Sequence, residues 1–286
     1  MRHSEAATRD GFARKELPQS AAALLDRLRA RRPRVHCITN AVAQNFTANV
    51  LLAAGCLPAM TLSGEEIGPF VAGSQALLVN LGTFDRERRE ATAIAMEAAT
   101  QGNVPWVLDP VLIDRSTPRA DFARALIARA PKAVRLNRAE FSALADSEPS
   151  REALTAYARE KKTVLGLSGE TDWVSDGERL AMIANGHPLM GKVTAMGCAA
   201  SALVAACLSV EPDAWRAVAG ALVMIGVAGE WAAARAEGPG SFAVAIIDAL
   251  HNLDGPTLIA RARVTCCTST SGFTRSSIPP LPAGTR

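Results

Sequence analysis

The segment Lys192-Val193-Thr194-Ala195-Met196-Gly197-Cys198-Ala199-Ala200-Ser201 runs a turn of small residues straight into an apolar stretch. Such a junction predicts a helix whose first backbone N–H groups lack partners within the helix and whose dipole is positive outward. That is an anion site suited to a phosphate. Cys198 falls in the predicted first turn, where the dipole lowers a thiol's pKa and sets it beside any bound anion. An ordinary buried cysteine near a helix start fits the same ten residues equally well. The chain contains no G-x-x-x-x-G-K-S/T, which excludes a P-loop as the source of phosphate binding.

A second set of residues lies where predicted strands end. These are Thr39-Asn40, Met60, Asn80 with Gly82-Thr83, Asp109-Pro110, Asn137 with Glu140, and Ser168-Gly169-Glu170. Strand ends are often polar simply because the chain meets water and turns there. Acids and amides concentrated at successive ends are more than turn chemistry needs. In an open parallel sheet, ligands bind beyond the carboxyl ends of the strands.

The elements that would hold these residues alternate regularly. Continuous apolar runs predict strands over Val35–Thr39, Ala76–Leu81, Val104–Leu108, Ala133–Leu136 and Thr163–Leu167. Helical periodicity predicts helices over Ser20–Arg32, Asn45–Ala54, Asp85–Thr100, Arg119–Arg129 and Ala139–Ala145. Asp172–Ser175 and Arg179–Ile183 read as a hairpin across Asp176-Gly177, a type I′ signal. Three apolar helices follow, over Gly197–Leu208, Ala214–Ala234 and Phe242–Leu250. Apolar strands alternating with helices mean a mostly parallel central sheet covered on both faces, an α/β fold of three layers. Residues 1–19 are expected to be a flexible extension, 20–264 a single domain, and 265–286 a disordered tail with nine Ser/Thr and three Pro.

Composition narrows the partners. The 286 residues carry 31 basic and 28 acidic side chains. Residues 1–34 hold nine Lys/Arg against four Asp/Glu, so the remainder is net −2 and offers no basic face for nucleic acid. Aromatic residues are 5%, too few for a base-stacking platform. The apolar runs at Ala199–Val210 and Ala217–Gly229 are too short to span a bilayer and read as buried helices. The first residues have no apolar core of a secretory signal, and six cysteines without paired spacing read as reduced cytoplasmic thiols.

Read together, the segments 36–55 (HCITNAVAQNFTANVLLAAG), 58–60 (PAM), 77–84 (LLVNLGTF), 104–111 (VPWVLDPV), 134–141 (VRLNRAEF), 167–177 (LSGETDWVSDG) and 185–198 (NGHPLMGKVTAMGC) resemble the hydroxyethylthiazole kinase family. The resemblance covers about residues 20–264, with the motifs in order. It implies a ribokinase-like fold and phosphorylation of the hydroxyl of 4-methyl-5-(2-hydroxyethyl)thiazole by ATP with Mg²⁺, in thiamine biosynthesis or salvage. It also implies a cytoplasmic homotrimer with sites between subunits. By the resemblance, Met60, Asn40 and Asn45 contact the thiazole, and Arg135, Ser168 and Asn137 contact ATP. Asp109 and Glu140 take the positions associated with Mg²⁺. Cys198 stands where many ribokinase-like kinases place an aspartate base, with Gly197 and Ala195 forming the anion-binding turn and Ala195 also facing the substrate.

One departure stands out. The family's usual turn before the cysteine is Gly-Thr-Gly, whereas this chain has Ala195-Met196-Gly197. A Cβ at position 195 is strained if the turn needs positive φ, and Met196 replaces a hydroxyl donor with a thioether. Two other readings follow from the same residues. One is a related kinase acting on a hydroxymethylpyrimidine alcohol, and the other is a catalytically weak metabolite-binding homologue.

Overall fold

Six short apolar runs form a parallel set: β1 (Arg34–Ile38), β2 (Leu57–Ala59), β3 (Ala76–Asn80), β4 (Trp106–Asp109), β5 (Ala133–Asn137) and β6 (Val164–Ser168). Three more strands, β7 (Asp172–Ser175), β8 (Arg179–Ile183) and β9 (Val264–Thr268), extend the sheet antiparallel. These coordinates are a computed structural model, which describes residues 2–268, with side chains from 16 to 267. The strand order is β2-β1-β3-β4-β5-β6-β7-β8-β9.

The helices are α1 (Arg2–Arg31), α2 (Gln44–Ala53), α3 (Ile67–Ala72), α4 (Arg86–Gln101), α5 (Thr117–Ile127), α6 (Arg138–Ala145), α7 (Arg151–Lys161), α8 (Met196–Leu208), α9 (Ala214–Ala233), α10 (Pro239–Asn252) and α11 (Gly255–Arg261). Alternation along each strand sends Val35, Leu78 and Val107 to a core shared with α1, α2 and α8–α11. The intervening Leu77, Val79 and Leu108 enter a second core under α3–α7. Both faces are thus covered, as the unbroken apolar strands require. Helix α9 is long and apolar enough to cross a membrane, yet 78% of that stretch is buried, and it packs against α1, α8 and α10.

Several boundaries differ from the sequence expectation. Helix α1 begins at Arg2 rather than Ser20. Leu17, 2% exposed, continues the buried stripe of Ala21, Leu24, Leu25 and Leu28 back past Pro18, which lies inside the helix. At the other end the domain does not stop at 264. Thr265–Thr268 belong to β9, whose backbone pairs with β8 from Ile183↔Val264 to Arg179↔Thr268. The rest of the expected tail, residues 269–286, lies outside the described residues.

The β7–β8 connection is not a type I′ turn. That turn needs positive φ at both central residues, and of Asp176 and Gly177 only Gly177 has it, at +94°. The Asp176 carboxylate instead closes the turn by accepting from the N–H groups of Glu178 and Arg179 at 2.9 and 2.7 Å.

For the site, the consequence of the sheet is its register. Asn80 pairs with Asp109 across β3–β4, and Asn137 with Ser168 across β5–β6. The carboxyl ends therefore line up as one row. Helix α8 packs across β1, β3 and β4, and its N-terminal turn lies against that row, within hydrogen-bond reach of Asn40, Asn80 and Asp109.

Candidate active site

Helix α8 begins at Ala195 in the left-handed conformation, φ +69° and ψ −3°, with no side chain capping its N-terminus. The turn therefore does require positive φ, and the chain holds an alanine there at a strain of about 1 kcal/mol. Intrahelical bonding starts with the Ala199 N–H donating to the Ala195 carbonyl at 2.9 Å. The N–H groups of Met196, Gly197 and Cys198 precede that bond and are available to an anion.

Arg135, half-buried near the end of β5, completes this corner. A Cβ on Gly197 would lie 2.8 Å from the Arg135 Nη1, so the absence of a side chain at 197 lets the guanidinium lie against the helix start. The Nε of Arg135 is buried with no hydrogen-bond partner. Gly197→Ala should push the mobile guanidinium aside without unfolding the chain. On the expectation that Arg135 contacts a phosphate of ATP, this should lower kcat/KM for ATP about tenfold. Steady-state kinetics beside a melting curve test this, and an unchanged kcat/KM would remove Arg135 from phosphate binding.

Next to this corner lies a buried polar network. Asp109 is 1% exposed, and its Oδ2 accepts from the Asn80 Nδ2 at 2.7 Å and the Ser201 Oγ at 2.8 Å. Its Oδ1 has no hydrogen bond among the described residues. The Cys198 Sγ accepts from the Asn40 Nδ2 at 3.2 Å and the Asn80 Nδ2 at 3.3 Å.

The expectation of a lowered thiol pKa is overturned. Burial pushes the Cys198 thiol up to about 11 and the Asp109 charge adds to this, outweighing the two amides and Arg135. The helix dipole acts on a thiol that has already lost its water, so Cys198 is neutral near pH 7. In the sequence, Asn80 is one strand end among several and Ser201 is one small residue of an apolar helix. Their contacts depend on the β3–β4 register and on the turn of α8, which no local pattern shows.

On the other flank, Asn40 is 9% exposed, and its Oδ1 is buried without a partner. Met60 is half-buried just beyond β2 and packs against the first core. His36, buried on β1, donates its Nε2–H to the Thr61 carbonyl at 3.1 Å and so fixes the backbone beside Met60. Burial pulls this histidine down to about 4, which keeps it neutral. Asn45 does not join the group. It is exposed on α2, and its Oδ1 accepts from the Asn49 Nδ2 at 3.1 Å.

Asn137 and Glu140 form a reciprocal capping box at the start of α6. The Asn137 Oδ1 accepts from the Glu140 N–H at 2.9 Å, and the Glu140 Oε2 accepts from the Asn137 N–H at 2.8 Å. The Glu140 Oε1 accepts from the N–H of Leu112, whose φ is +62°. The spacing N-x-x-E thus also builds the start of α6. Ser168 donates its Oγ to the Leu136 carbonyl at 3.3 Å.

The donors here suit a hard divalent cation such as Mg²⁺, which takes one or two carboxylates and fills its shell with phosphate and water. Burial pushes Glu140 up to about 7 and Asp109 adds to the shift, while burial raises Asp109 as well and Arg135 opposes it. Two buried carboxylates, each raised by burial and one raised further by its neighbour's charge, are a place where a cation is welcome. Among the described residues no three acidic, His or Cys side chains gather, so such an ion would depend on water and phosphate for most of its ligands.

A pH dependence follows from these shifts. In the folded chain Glu140 binds its proton more tightly than in the unfolded chain, so stability falls as pH rises from about 4.5 through about 7. Asp172, pushed by burial to about 6, acts in the same direction, while His36, held down to about 4, gains stability with rising pH and offsets part of the fall. The melting temperature of the metal-free protein should therefore drop across this window, and added Mg²⁺ should restore more of it at pH 8 than at pH 5.5. Equal Mg²⁺ effects at the two pH values would contradict the carboxylate assignment.

The model of the hydroxyethylthiazole kinase family matches residues 25–255. A probable hydroxyethylthiazole kinase of Agrobacterium fabrum is 45% identical over 244 residues, 85% of this chain and 94% of that one. The hydroxyethylthiazole kinase of Granulibacter bethesdensis is 43% identical over 268 residues, 87% of this chain and 98% of that one. Among solved structures, hydroxyethylthiazole kinase from Pyrococcus horikoshii superposes with TM-score 0.83 at 36% identity, covering 86% of this chain and 98% of that chain. A ribokinase-like superfamily protein from Enterococcus faecalis shares the fold alone, with TM-score 0.62 at 12% identity over 80% and 90% of the two chains.

Proposed function

The chain belongs to the hydroxyethylthiazole kinase family, and from that premise we propose how its site phosphorylates the alcohol of hydroxyethylthiazole for thiamine synthesis. The phosphoryl donor is ATP. The observation that carries the reading is the uncapped start of α8 lying against Arg135, with Cys198 and Asn40 in contact beside it. The free N–H groups of Met196, Gly197 and Cys198 bind the equatorial oxygens of the transferring group, and Arg135 adds a fixed cation. Ser168 and Asn137, at the ends of neighbouring strands, contact the nucleotide in this reading.

Asp109 and Glu140 would hold Mg²⁺, which supplies charge neutralisation at the phosphates when bound. Met60 takes the thiazole ring, and the unpartnered Asn40 Oδ1 receives the hydroxyl proton as a hydrogen bond. The neutral thiol of Cys198 orients the alcohol rather than ionising it. A primary alcohol entering a loose phosphoryl-transfer transition state needs little prior deprotonation. Positioning and electrostatics carry the rate.

Val42, Leu52 and Val244 are 75%, 53% and 63% exposed, on or beside α2 and α10, two helices that pack together. These apolar side chains suit burial between subunits of a cytoplasmic homotrimer whose sites are shared, with Asn45 facing a neighbouring copy. Light scattering should give a mass near 90 kDa, three times 30.0 kDa. A monodisperse monomer would remove the shared site.

Substrate choice is tested by measuring kcat/KM for ATP-dependent phosphorylation of hydroxyethylthiazole and of a hydroxymethylpyrimidine alcohol side by side. The thiazole should be preferred. Preference for the pyrimidine would overturn the assignment of Met60 and Asn40.

A further inference from the structure

Asn80 uses every hydrogen-bonding capacity of its side chain. A neutral amide has two N–H donors and two acceptor lone pairs. The Nδ2 donates to the Asp109 Oδ2 at 2.7 Å and to the Cys198 Sγ at 3.3 Å. The Oδ1 accepts from the Gly82 N–H at 3.0 Å and the Asn40 Nδ2 at 3.4 Å. The residue is 1% exposed, so none of these partners is exchanged for water. Nor can the amide rotate. Turning it over would point its oxygen at a carboxylate and its NH₂ at the Gly82 N–H.

Asn80 therefore has a single orientation, and its side chain joins groups from β3, β4 and α8, beside the Ser201 hydroxyl that also ties α8 to Asp109. We propose that Asn80 is a positioning residue for phosphoryl transfer, holding the Asp109 carboxylate and the Cys198 thiol as one unit at the start of α8. The inference rests on the kinase reading above. Gly82 supports the arrangement, because a Cβ there would lie 2.6 Å from the Asn40 Nδ2 and 2.9 Å from the Asn80 Oδ1.

The test is a set of steady-state measurements on the full chain with ATP, Mg²⁺ and hydroxyethylthiazole. Asn80→Ala should lower kcat on the order of 100-fold, the size of effect expected when reacting groups shift by about 1 Å, while both KM values hold. Because the residue acts through Cys198, the loss should be much smaller when Asn80→Ala is added to Cys198→Ala. A merely structural role would give the same loss in both backgrounds.

Asn80→Asp is the second variant. It is nearly isosteric and keeps the oxygen that receives the Gly82 N–H, so the turn is preserved. It removes the two donors facing Asp109 and Cys198, and it too should lose kcat. Wild-type kcat in this folded variant, or additive losses in the double-mutant cycle, would overturn the proposal. Wild-type protein that turns over while the variants are unimpaired would remove this inference alone. No turnover by the wild type would overturn the kinase reading along with it.

Discussion

Replacing Asp109 by alanine should lower kcat by roughly 100- to 1,000-fold, the range seen when a preorganised electrostatic group is removed from a closed site. The side chain is 1% exposed and lies within electrostatic reach of Arg135. Its loss strands one N–H of the buried Asn80 amide, at about 1–3 kcal/mol, while the Ser201 hydroxyl falls back on the Gly197 carbonyl at 3.2 Å. It also deletes an oxygen donor for the metal.

Asp109→Asn separates these effects. It keeps the volume and one acceptor but removes the charge. Because burial already disfavours the ionised form of Asp109, removing the charge should leave the melting temperature near the wild-type value at pH 8. Activity should still fall steeply, and the Mg²⁺ needed for half-maximal rate should rise. An Asn variant with wild-type kcat and Mg²⁺ dependence would show that the charge at 109 is not used.

The largest expected gain comes from the turn before Cys198. Ala195→Gly together with Met196→Thr should raise kcat while moving the ATP KM less, since the benefit falls on the transition state. One recovered donor is worth between about 10- and 1,000-fold. The backbone of Ala195 already sits at φ +69°, so the glycine acts mainly on stability by removing about 1 kcal/mol of strain. The rate gain is therefore assigned to the hydroxyl introduced at position 196.

That hydroxyl has an opposing cost. Met196 is 7% exposed and belongs to the first core, so shortening it should cost roughly 2 kcal/mol. The double variant should be faster and somewhat less stable. An unchanged or lower kcat in the folded protein would show that this turn does not limit catalysis.

What was legible in the sequence is best judged residue by residue. The alternation of apolar strands with helices, and the polar residues at strand ends, correctly anticipate a mostly parallel sheet with helices on both faces. The same reading finds the small-residue turn into α8, because free N–H groups at a helix start are a local property. It misses the state of Cys198, since the direction of the thiol's shift depends on burial and on Asp109, 89 positions away in sequence.

Asn80 and Ser201 escape for the same reason: their partners are fixed by strand register and helix docking. The pair Asn137 and Glu140 shows the opposite problem. Its spacing is equally that of a capping box, and only the geometry reveals that both side chains already hold backbone groups. At the chain ends, the polar residues before Ser20, which lack helical periodicity, and the Ser/Thr-rich composition after Val264 conceal a continuous helix and a final strand.

The central claim is that this site moves a phosphoryl group from ATP to the hydroxyl of hydroxyethylthiazole. The most direct measurement is to incubate the protein with ATP, Mg²⁺ and the thiazole alcohol and identify the products by mass. The account predicts the alcohol heavier by one HPO₃ unit, with one ADP formed for each alcohol consumed. ADP released with the alcohol unmodified, or neither product formed, would contradict it.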